Sequence, residues 1–256
     1  MNRIPARPAM RMVPWLRAWR AGLVSLDEVI ESLSAAELAG IEQVVVDDAD
    51  DGLPQGLHAG LAALSQVHCD DIRLLLPVPG DVRGLPRSGG FTERALASAE
   101  AVRAGGIGLV AQWREHTSGS GDSWHTLTWW LHRLPADLAA VEVMSVGEAD
   151  LALTEALREA TRRLNALDVA AWNGNGALPG LRDIEARQLP AGFDPRARRL
   201  YARALLLDHA LEVARQDAMG GAVSAFEAQA RLEALRPLAA ACRAAVGAAC
   251  HARISW

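Results

Sequence analysis

The residues that first suggest chemistry are Asp47-Asp48-Ala49-Asp50-Asp51-Gly52, which follow the β-branched run Val44-Val45-Val46. Carboxylates at the C-terminal end of a strand can hold Mg²⁺ against a phosphorylated substrate, because hard oxygen ligands suit a hard dication. A second set follows the apolar run Ile72–Leu76, where the Gly/Pro-rich loop Pro77–Pro86 carries Asp81 and Arg83. A third follows Ile107–Trp113, which ends in Arg114, Glu115 and His116. If the three runs are parallel strands, their carboxyl ends share one edge, and open α/β sheets bind ligands there. Asp47, Asp48, Asp81, Arg83, Arg114 and His116 are then a candidate ligand site. Asp47, Asp48 and Asp81 would ligate Mg²⁺ and Arg83 would clamp the anion. The plainer alternatives are a solvated acidic loop and a structural turn.

Much other chemistry is excluded. All 26 basic residues are arginine, so no P-loop lysine, kinase lysine or Schiff-base lysine exists. Asp48-Ala49-Asp50 after an apolar strand is similar to the haloacid-dehalogenase signature. However, Asp51 intervenes before Gly52, and that family's lysine has no counterpart. An EF-hand fails as well, since Gly52 at position six puts Ala49 and His58 where ligands are required. His58 and His68 stand about three helical turns apart, too far to share a metal. Cys69, Cys242 and Cys250 make neither a disulfide framework nor a zinc signature.

The elements that must position these residues fall into two parts. Ser25-Leu26-Asp27-Glu28 reads as a capping box. The helix it opens shows Asp27, Glu28 and Glu31, the wrong sign for DNA phosphates, so no nucleic-acid partner is expected. Pro14 is expected to open the short helix before it, and Thr92 to cap another that ends at Gly105-Gly106. Two successive β-α-β units would then set the first three strands parallel. From Trp124 to Leu134 the pattern alternates strictly after a Gly/Ser turn, predicting an antiparallel hairpin with the third strand. Trp124 and Trp130 share the more polar face of that hairpin and are candidate interface residues. Val141–Val146 offers one further strand.

Beyond Gly147 the chain reads as helical. Leu153, Leu157, Ala160, Leu164 and Leu167 keep helical spacing, as do Leu200, Ala204, Leu207, Leu211 and Ala214. Asp194-Pro195 is a helix start, and residues 173–194 are a Gly/Pro-rich connection. The last helix is Ala-rich and is expected to be bent or broken at Pro237. The fold class is therefore α+β, a mixed sheet followed by a C-terminal helical module. The expected divisions are a basic arm with the start of the first helix at 1–26, an α/β sheet domain at 27–146 and a helical domain at 147–256. Residues 1–26 carry five arginines and no acid, whereas 27–146 carry seven arginines against eighteen acids. An arm of that charge could dock on nucleic acid, an anionic membrane or the acidic body of its own fold, and the last needs nothing further to explain it.

The whole chain, above all Leu74–Pro86 and Leu235-Arg236-Pro237-Leu238, resembles uncharacterised proteins of GC-rich bacteria. That resemblance implies no fold and no activity. The leading reading is a non-catalytic binding or scaffold protein acting through protein contacts. Its alternative is a divalent-metal-dependent enzyme acting on a phosphorylated small molecule. A homodimer is expected, because a bundle with so Ala-rich a helix has few large side chains to fill its centre. No eighteen-residue apolar run is present and the first 22 residues lack a signal-peptide core, so a cytoplasmic location is expected.

Overall fold

The computed structural model describes residues 7–35, 38–49, 53–166, 188–221 and 225–254. Two compact units divide the chain, with Ala6–Glu142 as the body of one and Val143–Gln188 plus Phe193–Ala252 forming most of the other. Among the described residues six strands build the first unit: β1 (Glu42–Asp47), β2 (Gln55–Gly56), β3 (Ile72–Leu75), β4 (Ala101–Ala104), β5 (Ile107–Thr117) and β6 (Ser123–Arg133). They form one sheet in the order β2-β1-β6-β5-β4-β3, with β1 parallel to β6 and every other pair antiparallel. The class is α+β, a mixed sheet with C-terminal helices, as the sequence predicts.

The origin of the parallel pair differs from expectation. The two β-α-β units are absent, because Ala101–Ala104 is a strand and not the end of a helix. The preceding helix stops at Ser98, where Ala99 takes a left-handed φ of 55°. Gly105, at φ 58°, then opens the tight turn that folds β5 back on β4. Pairing from β3 through β4, β5 and β6 is antiparallel throughout, so β3 and β5 both run opposite to β1. The shared carboxyl edge of Val44–Val46, Ile72–Leu76 and Ile107–Trp113 does not exist. Residues 141–145 form no strand.

Strand alternation gives the sheet two faces. One face, with Val45, Leu109, Leu127, Trp129 and Leu131, is buried under three helices. They are α1 (Pro8–Arg20), α2 (Leu26–Leu33) and α3 (Leu57–Leu61). Proline fits the first turn, so α1 starts at Pro8, and Pro14 lies inside it instead of opening it. Much of the expected basic arm is thus a structural helix. Arg17 is 1% exposed; its Nε donates to the Cys69 carbonyl at 3.1 Å and its Nη2 to Asp70 at 3.0 Å. Arg20 donates to the Val67 carbonyl, and Arg11 to that of Ala35. The capping box of α2 forms as predicted between Ser25 and Glu28. Trp129 donates to the Gln43 side chain, which in turn donates to the Leu33 carbonyl, tying β6, β1 and α2 together. Gly60 of α3 lies so close to Val45 that any Cβ would overlap it.

The second face carries α4 (Gly90–Ser98) over β3, β4 and the first half of β5. Leu75, Phe91, Ala95, Ala101 and Val110 form its buried cluster. The ring of Phe91 occupies the space a side chain at Gly108 would fill. Thr92 lies inside this helix and donates to the Pro86 carbonyl, so it is not the cap.

The helical unit contains α5 (Val146–Ala166), α6 (Pro195–Gly221) and α7 (Ala225–Cys250). The Asp194 side chain accepts the Arg196 amide at 2.6 Å, which makes the predicted helix start. α7 runs through Pro237 without ending there. Leu153, Ala160, Leu200, Ala204, Leu211, Cys242 and Val246 are buried. Burial pushes the Cys242 thiol up to about 12, so it packs as an inert apolar group. Leu167 and most of the 173–194 connection lie outside the described residues. Among the described residues no helix is long and apolar enough to cross a membrane.

Candidate functional site

Successive strand residues point to opposite faces, and this separates Asp47 from Asp48. Asp47 lies on the helix-covered face and pairs with Arg133 at 3.0 Å. Asp48 turns to the other face, where Arg94 of α4 reaches it at 3.0 Å and His132 Nδ1 at 3.1 Å. Asp81 and Arg83 sit beyond β3 and pair with each other at 2.8 Å. Because β3 opposes β1, that loop leaves the sheet in the direction opposite to the one in which β1 delivers Asp47 and Asp48. Asp47, Asp48 and Asp81 are therefore each held by an arginine and are not gathered around one ion. Among the described residues, the one grouping of three potential ligands is His68, Cys69 and Asp70. Asp70 there is already the partner of Arg17.

Arg114, His116, Trp124 and Trp130 share the half of the second face that α4 leaves bare, whereas Asp48 stands at its far end, joined to Trp130 through Arg94. Register sets the rows. Glu42, Thr126 and Arg114 stand level; then Val44, Thr128 and Gln112; then Val46, Trp130 and Val110. These rows floor an open groove of about 370 Å³, lined by Glu42, Val44, Val46, Arg114, Thr126 and Trp130, with His116 and Pro54 at its sides. His116 Nε2 lies 2.8 Å from Thr126 Oγ1, and its ring stacks on Trp124 with centroids 5.2 Å apart. Trp124 is 50% exposed despite that stacking. One half-exposed tryptophan is ordinary by itself; the apolar lining of Val44, Val46 and Trp130 on the same face is what makes a candidate contact surface.

One end of the groove is closed by polar side chains. The Arg94 guanidinium lies over the Trp130 ring at 4.2 Å and also holds Asp48. His132, 5% exposed, is wedged between Asp48 and the edge of Phe91, 5.7 Å between centroids. Its Nε2 is buried without a hydrogen-bond partner. Burial pushes the His132 pKa below its ordinary value, which outweighs the pull of Asp48 in the other direction; Arg94 adds to the lowering. The histidine is therefore neutral near pH 7, with Nδ1–H donating to Asp48. A carboxylate–imidazole pair is the start of a general-base device, but its outer nitrogen faces packed protein and not solvent. The cluster instead pins α4 to β1 and β6. Gly90 belongs to it, since a Cβ there would lie 3.1 Å from Arg94 and 3.4 Å from Asp48.

The sequence patterns do not point to Arg94 or Gly90, because both lie on a helix whose start is displaced from the Thr92 cap. The alternation over Trp124–Leu134 does place His132 on the face of Trp124 and Trp130. Its carboxylate partner needs the parallel β1–β6 pairing, which joins segments about eighty residues apart.

Comparison with known proteins identifies relatives over nearly the whole chain. Two family descriptions match: "Rv1486c-like protein, N-terminal domain" over residues 9–144, and "Rv1486c-like protein, C-terminal domain" over residues 147–247. An uncharacterized protein of Mycobacterium tuberculosis, Rv1486c, is 28% identical, covering 93% of this chain and 94% of its own length. Another from Mycobacterium leprae, ML1804, is 26% identical over 96% of each. No solved structure matches. The bare half-face, its groove and the sheet that carries them all fall within residues 9–144, and on both domain matches the chain belongs to the family of Rv1486c-like proteins.

Proposed function

We propose that this chain is a non-catalytic binding or scaffold protein, and that the bare half of the sheet's second face is its protein-contact surface. The observation that carries this reading is the contrast within that face. Helix α4 buries one half, while Val44, Val46, Trp130 and Trp124 remain accessible on the other, rimmed by Glu42, Arg114 and His116. Apolar and aromatic centres with a charged rim are the ordinary anatomy of a protein interface. A cytoplasmic setting suits the free thiols Cys69, Cys242 and Cys250. The chain is also proposed to be a homodimer through its helical unit, where Leu151 of α5 is 60% exposed and Leu206 of α6 39%.

The alternative, an Mg²⁺-dependent enzyme on a phosphorylated small molecule, needs Asp47, Asp48 and Asp81 on one ion. Their separate arginine partners weigh against it. The test uses the chain at native abundance in its own host. On size exclusion it should migrate above the mass of two chains, and Val46→Asp with Trp130→Ser should return it to its own assembly. Identical migration of wild type and variant would remove the reading. Sedimentation of the purified chain tests the dimer separately, and a mass of one chain, 27.3 kDa, would sink it.

A further inference from the structure

We propose that the outer edge of β5, from Trp113 to Thr117, accepts an extended segment of a different protein as an added antiparallel strand. This rests on the protein-contact reading above and names the kind of partner. β4 covers β5 only as far as Leu109, so the rest of that edge borders no strand among the described residues. The phase of the ladder is fixed at two points. The Gly106 carbonyl accepts Leu134 N–H, so even-numbered residues bond toward β6. The Ala111 carbonyl points the other way and accepts Ser98 Oγ–H at 2.8 Å, so odd-numbered residues face outward. Trp113, Glu115 and Thr117 therefore present their backbone N–H and C=O groups along the open edge. Such a row is a template for another strand.

The side chains say which strand. Trp113 is 39% exposed on the helix-side face and Trp124 50% exposed on the groove-side face, so apolar surface flanks the edge on both sides. Arg114 points to the groove side and Glu115 to the other. A second copy is disfavoured by these charges. Pairing about a two-fold axis at Arg114 sets Arg114 against Arg114, and an axis at Glu115 sets Glu115 against Glu115. Like charges directly opposite destabilise a strand pair. An axis at Trp113 would pair Ala111 with Glu115, but the Ala111 carbonyl is already taken by Ser98. An axis at His116 brings only Glu115–Thr117 into register, because β5 ends at Thr117, so a foreign strand is what pairs the whole edge without conflict. Antiparallel to β5, it would place a basic residue opposite Glu115, then an acidic residue opposite Arg114, then an apolar residue opposite Trp113.

The test is amide NMR of the full chain with the acetylated, amidated peptide Thr-Thr-Lys-Glu-Val-Thr, and with its partner in which Lys and Glu are exchanged. Saturable shifts are expected at the amides of Trp113, Glu115 and Thr117. The exchanged peptide should bind about threefold to tenfold more weakly, the effect of two reversed cross-strand charge pairs. The double variant Arg114→Glu with Glu115→Arg should reverse that preference. Equal shifts from both peptides, or no shift at millimolar peptide, would overturn the proposal and leave the two charges as simple protection of an edge. Concentration-dependent shifts at the same amides without peptide would overturn it in favour of self-pairing. Shifts confined to Thr126, Thr128 and the Trp130 indole would also overturn it, while leaving the groove as a contact surface.

Discussion

One face of one sheet is treated in two ways along its width. Over β3, β4 and the first half of β5, α4 closes the face by packing Phe91 and Ala95 on Leu75, Ala101 and Val110. Over β1, β6 and the far half of β5 no helix of the same unit covers that face among the described residues, although it carries two tryptophans and two valines. The strands do not differ in kind, since both halves alternate. What differs is clearance. Gly108 removes a side chain where Phe91 must enter, whereas Gln112 and Thr128 hold the corresponding row in the open half. Arg94, Asp48 and His132 mark the border, where a salt bridge and a buried imidazole end the covered region.

Truncation across that border should separate the halves most sharply. Phe91→Ala should cost about 3–5 kcal/mol, the usual loss for a buried aromatic, seen as a lower denaturant midpoint. Gly108→Ala acts on the same contact from below and should cost about 1–3 kcal/mol through overpacking. A combined Gly108→Ala, Phe91→Leu variant should recover part of that loss, and no recovery would place the strain elsewhere.

The border itself should respond to pH. Burial lowers the His132 pKa in the folded chain, so the unfolded chain takes up the proton first. Stability should therefore decline as pH falls below about 6.5, the ordinary histidine value, and continue to fall until the folded form is also protonated. His132→Gln should remove that component from the stability–pH curve; an unchanged curve would mean that other groups set it. The smallest stability effect belongs to the open half. Trp124→Ala should stay within about 0.5 kcal/mol of wild type, as exposed positions do, whatever it does to binding.

How much of this was visible in the sequence depends on the range of the interactions. The hairpin, the Ser25 capping box and the Asp194 helix start are local, and each forms where its residues predict. The face shared by Trp124, Trp130 and His132 follows from alternation alone. Strand direction did not follow, because four residues, Ala101–Ala104, were too short and too Ala-rich to distinguish from a helix end. Once they pair as a strand, β3 and β5 both run opposite to β1, and Asp81 and Arg83 no longer share a carboxyl edge with Asp47 and Asp48. Asp48 and His132 meet only through parallel pairing of distant segments, which no spacing in the chain encodes. Arg114 and His116 reach the groove by strand alternation along β5 and not by a shared carboxyl edge.

The most direct test of the open half as a contact surface is site-specific photo-crosslinking in the native host. Benzoylphenylalanine replaces Trp124 on the bare half in one strain and Leu96, 38% exposed on α4 over the covered half, in another. The account predicts discrete crosslinks to another protein from position 124 and none from position 96. Crosslinks of equal yield from both positions, or products from position 96 alone, would contradict it.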